Sequence, residues 1–403
     1  MINITDKSKC TGCRACELVC SKNCIQMISD DEGFLYPLVN TTNCIDCGLC
    51  DNTCHMQKQS HSSNNFGGRI FVGINKNESE RLASSSGGIF SLLAKHILSL
   101  GGVVYGVGFD DNFNVIHKRC DTPEALLEFR GSKYVQSDLD DTFALAKKDL
   151  TNGIAVLFTG TPCQIGALKS YLGKEYENLY TQSFICHGVP SPLVWRKFVD
   201  YVSSSENKKI KKISFRDKTY GWKRFSMKIE FEDDASIVKT LDKDIYLQLF
   251  LNNTCLRPSC HDCRYKTFEA HSLSDITLAD WWSMSQGILP SAEDDKGASI
   301  IIANTPKGKQ LMDSVKNDIT LASASYEQTV SRNPSYSYSA QMSKHRTSFF
   351  SNISKMPIDK LSKKYAYTPL KVKIKRNAIK IGYKIAKRLG LVSTIKKIIK
   401  KQG

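Results

Sequence analysis

Eight cysteines open the chain in two runs of one spacing, Cys10-x2-Cys13-x2-Cys16-x3-Cys20 and Cys44-x2-Cys47-x2-Cys50-x3-Cys54. Each iron of an iron–sulfur cube takes one outside thiolate. A C-x2-C-x2-C loop wraps three around one cube, and the fourth comes from the other run. The spacing therefore assigns Cys10, Cys13, Cys16 and Cys54 to one 4Fe–4S cluster, and Cys44, Cys47, Cys50 and Cys20 to a second. A zinc pair would use four ligands in a C-x2-C…C-x2-C pattern and leave the third and fourth Cys of each run idle. A disulfide framework needs an oxidising compartment, to which nothing in the chain points. The fourth Cys of such a run is normally followed by Pro. Here Ser21 and His55 follow instead, which alters the local turn rather than the ligation. Cys24 reads as a small buried hydrophobe.

Of 15 Cys, six lie beyond residue 55: Cys120, Cys163, Cys186, Cys255, Cys260 and Cys263. Ile154–Phe158 is a buried-type strand running into Thr159-Gly160-Thr161-Pro162-Cys163-Gln164. Thr161 suits a helix N-cap and Pro162 the first helical position. Cys163 then sits in the first turn, where the dipole favours a thiolate that is either a nucleophile or a ligand. Tyr180–Ile185 is a second strand, ending at Cys186-His187-Gly188. Two Cys at the carboxyl ends of strands stand where α/β folds place sites. Cys260-x2-Cys263 alone reads as zinc or redox. With Cys163 and Cys186 it makes a set suited to a third cluster, with Cys255 as the alternate ligand and Cys120 structural.

The positioning elements follow from the pattern. Arg69–Asn75 and Val103–Phe109 read as strands. Ser84-Ser85-Ser86-Gly87-Gly88 leads into a helix with apolar positions 89, 90, 93, 97 and 100. Such a start is either an anion-binding N-terminus or an ordinary cap. The block Arg130–Ser137 mixes two cations, Gly and hydroxyls, as a phosphate or flavin edge or as a solvated loop. Residues 211–241 alternate as an antiparallel insertion whose loop carries Arg216-Asp217-Lys218-Thr219-Tyr220-Gly221-Trp222. Trp281 and Trp282 suit core positions or a cofactor shield.

At 403 residues, with 41% apolar and 24% charged, the chain supports two or three domains. Expected units are a ferredoxin-type domain at 1–59, each repeat a strand, Cys loop and helix; a linker at 60–68; a mixed α/β domain at 69–345; and a basic tail at 346–403. The fold class is α+β or α/β: a ferredoxin-like 2x(4Fe–4S) module, then a mixed α/β domain, then a basic helix. The net charge of +16 is local. From Lys360 to Lys401 there are 15 Lys and Arg and no acid, so the remainder carries +1. That excludes a nucleic-acid-binding core. Ala378, Ile381, Ile385, Leu389, Val392, Ile395 and Ile399 share one helical face, so the tail reads as a helix for an anionic membrane surface. No leader pattern is seen at Met1–Cys10 and no run of about 18 apolar residues occurs. The expected location is cytoplasmic, peripheral at the inner membrane face.

The order of these motifs resembles the beta-subunit family of coenzyme F420 hydrogenase/dehydrogenase over residues 8–315. The resemblance rests on the double Cys run, Ser85–Gly88, Gly131–Tyr134, Thr159–Gln164, Cys186–Gly188, Leu256-Arg257-Pro258-Ser259-Cys260-x2-Cys263 and Asp275–Trp282. It implies a mixed α/β flavin-binding domain, FAD, iron–sulfur clusters and exchange with a deazaflavin or ferredoxin partner. Plant 7-hydroxymethyl chlorophyll a reductase is similar, and family members occur beside polysaccharide-synthesis enzymes. By that resemblance Ser86, Gly87, Gly88, Lys133, Thr159, Gly160, Thr161 and Gln164 line the flavin, and Cys163, Cys186, Cys260 and Cys263 form the inner Cys set. Cys163 and His187 are the candidate proton donors beside the flavin. The expected function is an iron–sulfur flavoprotein oxidoreductase acting on a small molecule. The alternatives are an electron-transfer subunit without its own substrate, and a non-enzymatic membrane-associated assembly protein.

Overall fold

The computed structural model describes residues 1–58, 68–266, 271–283 and 287–366. Most of the expected linker and the basic face from Ala378 to Ile399 lie outside them. The first Cys run folds as a loop and one helical turn, α1 (Ala15–Leu18). A hairpin follows, β1 (Ile25–Ser29) with β2 (Leu35–Val39), paired antiparallel. The second run closes with α2 (Leu49–Thr53). Only this second repeat has the expected order of strand, loop and helix. The first has a short 3-10 turn at Lys7–Lys9 where its strand was expected.

Next come β3 (Arg69–Asn75), α3 (Glu78–Ala83), α4 (Ile89–Ser99), β4 (Val103–Phe109) and β5 (Val115–Cys120). Then follow α5 (Thr142–Thr151), β6 (Val156–Thr159), α6 (Pro162–Leu172), β7 (Leu179–Phe184) and α7 (Pro192–Glu206). Strands β8 (Ile210–Asp217), β9 (Ser226–Phe231) and β10 (Ser236–Thr240) make a separate antiparallel sheet. The chain continues through α8 (Ile245–Leu251), β11 (Ile276–Asp280), β12 (Ser299–Ala303), α9 (Pro306–Val315) and β13 (Ile319–Ser323). Short helices α10 (Pro334–Ser337), α11 (Arg346–Phe350) and α12 (Ile358–Tyr365) complete it.

The large sheet has eight strands in the order β13-β3-β12-β11-β7-β6-β4-β5. Its centre, β4, β6, β7 and β11, is parallel; its margins are antiparallel. This is a mixed α/β fold. Strand period two explains its two buried faces. Val104 and Leu157 point to the side covered by Ile89, Leu93 and Ile97 of α4 and Leu311 and Met312 of α9. Val103, Tyr105, Val156 and Phe158 point to the side of Phe143 in α5 and Ile165 and Leu168 in α6. All four parallel strands therefore end at one edge of the sheet, where their loops meet.

The N-terminal unit has little core of its own. Phe34 is fully buried among side chains of α7, α8 and the small sheet, and Ala15 packs with α5 and α6. Residues 346–366, expected as part of the tail, belong to the body instead. Phe349, Phe350, Ile358, Leu361 and Tyr365 bury against the small sheet and α7. Their apolar spacing, not the basic charge beyond them, decides their place.

Candidate functional site

The two Cys loops are built alike at the backbone. Residues flanking the second Cys of each run are left-handed: Gly12 and Arg14 at φ 68° and 61°, Asp46 and Gly48 at 49° and 72°. In both loops an N–H turns back to the first thiol, Gly12 to Cys10 Sγ and Asp46 to Cys44 Sγ, each at 3.4 Å. Such turns point the three thiols of each loop inward. Cys10, Cys13, Cys16 and Cys54 line one cavity, and Cys20, Cys44, Cys47 and Cys50 line another. Each cavity thus takes its fourth Cys from the opposite run. Among the described residues no group of three or more His, Cys, Asp or Glu converges on a single-ion site. Four thiols around one space form the donor set that a 4Fe–4S cube takes. Cys24 is buried with Ile2 and Ile25 as expected, and it lines the second cavity too, its sulfur 3.3 Å from that of Cys20.

His55 stands where Pro was expected and is buried. Its ring joins Thr11 Oγ1 at 3.0 Å and Tyr265 Oη at 2.5 Å. Thr11 lies between Cys10 and Cys13, and Tyr265 lies two residues past Cys263. The residue that replaces Pro thus ties the N-terminal unit to the inner Cys loop. Ser21 is exposed and makes no comparable link among the described residues.

Cys163, Cys186, Cys260 and Cys263 line one cavity together with Thr11, Met56 and Tyr265. Thr161 caps α6 through a capping box with Gln164, and Pro162 takes the first turn, which fixes Cys163. Gly188 lets the chain turn from Cys186 toward Cys260; a Cβ there would come 2.9 Å from Leu256 and 3.3 Å from Cys260. Val189 N–H donates to Cys260 Sγ at 3.4 Å. Cys255 is absent from this cavity and is sealed in the core near Tyr246. Cys120 is buried and donates to Thr122 O at 3.1 Å. The helix dipole does not prevail at Cys163. Burial, then the neighbouring thiols, pushes its thiol up to about 12. Cys186 and Cys260 are pushed up to about 12 for the same first cause. A protonated, buried sulfur is a poor nucleophile, and it ionises when a metal displaces the proton.

At the carboxyl ends of the parallel strands lies a cavity of about 460 Å³. Ser86, Gly88, Lys133, Thr159, Gly160, Thr161 and Gln164 all line it. Gly87 does not. It is pressed against β3 and β12, where a Cβ would come 2.6 Å from Gly73 O and 2.8 Å from Ser299 N. Its N–H donates to Ser299 Oγ at 3.0 Å, so it shapes the loop without reaching the space. Lys133 turns its ammonium onto its own loop, donating to Glu128 O at 2.6 Å and Arg130 O at 3.2 Å. Burial lowers its pKa to about 7. Ser85 and Ser132 join the two loops through Ser132 N–H to Ser85 Oγ at 2.6 Å.

Cys163 does not line this larger cavity, whereas His187 lines both it and the inner one. Asn253 donates its amide to Gln341 O at 2.9 Å, which turns its Oδ1 toward His187 Nε2 at 2.6 Å. The Nε2 proton is thereby held, and burial keeps the ring neutral by lowering its pKa. Sequence reasoning did not single out Phe250 or Asp280 as lining groups, and it left Trp281 and Trp282 undivided. Trp281 is fully buried, while Trp282 is 43% exposed and lines the cavity.

The cavities form a row. Thr11 and Met56 wall both the Cys10 cavity and the inner one. Thr161, Cys186, His187, Gly188 and Val189 wall both the inner cavity and the large one. Ile2 lines the Cys10 cavity and donates its N–H to Cys50 Sγ of the outermost set at 3.2 Å.

Among the described residues no helix is long and apolar enough to cross a membrane. Residues 154–329 match the family described as the C-terminal part of the beta subunit in coenzyme F420 hydrogenase/dehydrogenase. No curated protein matches the sequence significantly. Among solved structures, a chain of the F420-reducing [NiFe] hydrogenase complex from Methanosarcina barkeri is similar at 17% identity. The match covers 76% of this chain and 94% of that one, with a TM-score of 0.43.

Proposed function

Since residues 154–329 match the C-terminal segment of the coenzyme F420 hydrogenase/dehydrogenase beta-subunit family, we propose that the chain is an iron–sulfur flavoprotein oxidoreductase. It carries electrons between a protein or deazaflavin partner and a small molecule. The observation that supports this is the row of thiol-lined cavities leading to the 460 Å³ space. Cys20, Cys44, Cys47 and Cys50 would hold the outermost 4Fe–4S cluster, with Cys47 exposed toward a partner. Cys10, Cys13, Cys16 and Cys54 would hold the next. Cys163, Cys186, Cys260 and Cys263 would hold a third, and the large cavity would hold FAD. When bound, the clusters supply single-electron chemistry and the flavin supplies hydride chemistry.

The chain's own groups set the conditions for that chemistry. The capping box at Thr161 fixes the wall between the last two cavities and spends two α6 end groups on itself. The N–H of Val189 and that of Gly12 aim at sulfur, where they would favour negative charge. The Cys186–Val189 turn is shared, so the two spaces stand back to back across it. His187 can release the Nε2 proton only by breaking its bond to Asn253, which makes proton delivery there conditional on a local movement.

Anaerobic purification with iron, sulfide and flavin counts tests this reading. The expected content is about twelve iron and one flavin per chain, falling to about eight iron in the double variant Cys260→Ser/Cys263→Ser. About eight iron and no flavin in the unmodified protein would reject both the inner cluster and the flavoenzyme.

A further inference from the structure

The segment Arg216–Trp222 is absorbed by none of the chemistry above, yet it reaches the large cavity. Most of it serves as a strap. Lys218 donates to Arg81 O and Lys296 O at 2.7 Å and to Ser86 O at 3.1 Å. Trp222 donates Nε1–H to Ser85 O at 2.9 Å. Gly221 is left-handed at φ 94°, and a Cβ there would strike the Asp295 carboxylate at 2.1 Å. These bonds hold the Ser84–Ser86 loop and place Arg216 in the cavity wall.

Arg216 is 5% exposed and only half satisfied. Its Nη1 donates to Asp280 Oδ2 at 2.9 Å and to Tyr134 Oη at 3.0 Å. Its Nε and Nη2 have no partner among the described residues. Those two N–H groups form one edge of the planar fork, the edge that grips a carboxylate with two parallel bonds. A buried donor pair left unmet is costly, and in a native structure it calls for an acceptor. The faces of the guanidinium are already covered, by Phe225 at 4.2 Å and Trp282 at 5.1 Å. What remains is an acceptor-hungry edge set among flat rings and without exposed surface while Trp282 lies over the guanidinium.

The local charge favours an anion, since Lys133 also lines the cavity and makes no ion pair among the described residues. Arg216 pairs with Asp280 and Arg81 with Asp294. Lys218 makes no ion pair among the described residues. Burial, then the Arg216 and Arg81 charges, push its pKa down to about 7, while three carbonyl oxygens hold the charged form.

We propose that Arg216 is the substrate anchor of this cavity, its Nε–Nη2 edge taking the carboxylate of a planar, unsaturated or aromatic acid. The inference rests on the flavoenzyme reading and names its substrate class. Trp282, exposed at the rim, swings aside to admit the acid and then covers its flat face. Arg216 thereby fixes which end of the acid faces the flavin cradle at Thr159–Thr161.

Equilibrium dialysis of the anaerobically purified full-length protein tests this with benzoate, benzamide and inorganic phosphate as probes. Flavin content is measured on the same samples. Benzoate is expected to bind and benzamide to bind at least tenfold more weakly, the range of a charge-assisted pair. Arg216→Lys keeps a cation for Asp280 but lacks the edge. It should lower benzoate affinity about tenfold or more with flavin content unchanged. Trp282→Ala, with its thermal midpoint recorded because Trp282 stacks on Trp222 at 4.3 Å, should weaken benzoate and leave phosphate alone. Equal benzoate binding by R216K and the unmodified protein would overturn the proposal, as would tighter binding of phosphate than of benzoate. Loss of flavin along with benzoate in R216K would place Arg216 in the flavin cradle and overturn it as well. If the unmodified protein binds benzoate through Arg216 but holds no flavin, the anchor stands and the flavoenzyme reading falls.

Discussion

Asp244 shows how one residue's burial sets a pH dependence. It is 2% exposed and caps α8, accepting from Leu247 N–H at 2.8 Å. Burial raises its pKa to about 6, and the cap bonds only partly oppose this. The folded state thus holds the proton more tightly than the unfolded chain, whose carboxyl titrates near 3.8. Stability from this group is full below about pH 4 and is lost as pH rises through 6. Asn caps a helix as well as Asp and carries no charge. Asp244→Asn should therefore stabilise the protein at pH 7 by about 1–3 kcal/mol, with the gain shrinking toward pH 5. Urea midpoints across pH 5–8 check the trend; a constant difference would contradict it. Other single residues were less legible. The double Cys run stood out by its spacing, and the structure gathers its thiols around two cavities. His55 did not, because its partners Thr11 and Tyr265 are 44 and 210 residues away. Arg216 was expected in a loop but lies on β8, and its unmet edge depends on where Asp280 and Tyr134 fall.

Among elements, α6 joins the sites. Its start holds Cys163, and its glycine, Gly166, faces Tyr265. A Cβ on Gly166 would meet Tyr265 Oη at 2.2 Å and the ring carbons at 2.9 Å. In an exposed helix, Gly→Ala stabilises by about 1 kcal/mol. Here the sign should reverse. Gly166→Ala is expected to destabilise by about 1–3 kcal/mol through overpacking, and to break the His55–Tyr265 bond. Denaturant midpoints together with iron retention measure both effects. The helix itself was readable from Thr161-Pro162, since capping chemistry is local. So were β3 and β4, whose observed bounds match those expected from apolar runs. The leading strand of the first Cys repeat was not, because the expectation came from symmetry between repeats and not from the residues at 2–9. Gly87 resembled its neighbours in sequence, but the backbones of β3 and β12 claim it.

At the scale of the whole molecule, the N-terminal unit is clasped from several directions. Arg257, 1% exposed, donates to Cys10 O and Leu35 O at 2.8 Å and to Gln136 Oε1 at 3.0 Å. Arg14 grips Asp138 through two bonds at 2.5 and 2.8 Å. Arg346 pairs with Glu32, and Phe34 is sunk in the body's core. A unit so joined should not open independently. Hydrogen exchange of the amides in β1 and β2 should report the same opening free energy as those of β6 and β7. Substantially faster opening of the hairpin would show a separate foldon. The mixed α/β class followed from alternating strand and helix patterns. The strand order did not, because β3 and β12 meet across more than 200 residues, and no local signal carries that pairing.

The Glu32–Arg346 pair has a consequence for biosynthesis. The hairpin at its Glu32 end leaves the ribosome first, yet its partner emerges 314 residues later. The thiols of the inner set span Cys163 to Cys263 and also require late sequence. Pairings of such separation form slowly and only after the intervening chain exists. The nascent N-terminus must therefore wait, with nine of the protein's 15 thiols already exposed. Under the proposed ligation, iron and sulfide would enter a fully docked N-terminal unit only late in synthesis. The thiols need a reducing environment for the whole interval before it.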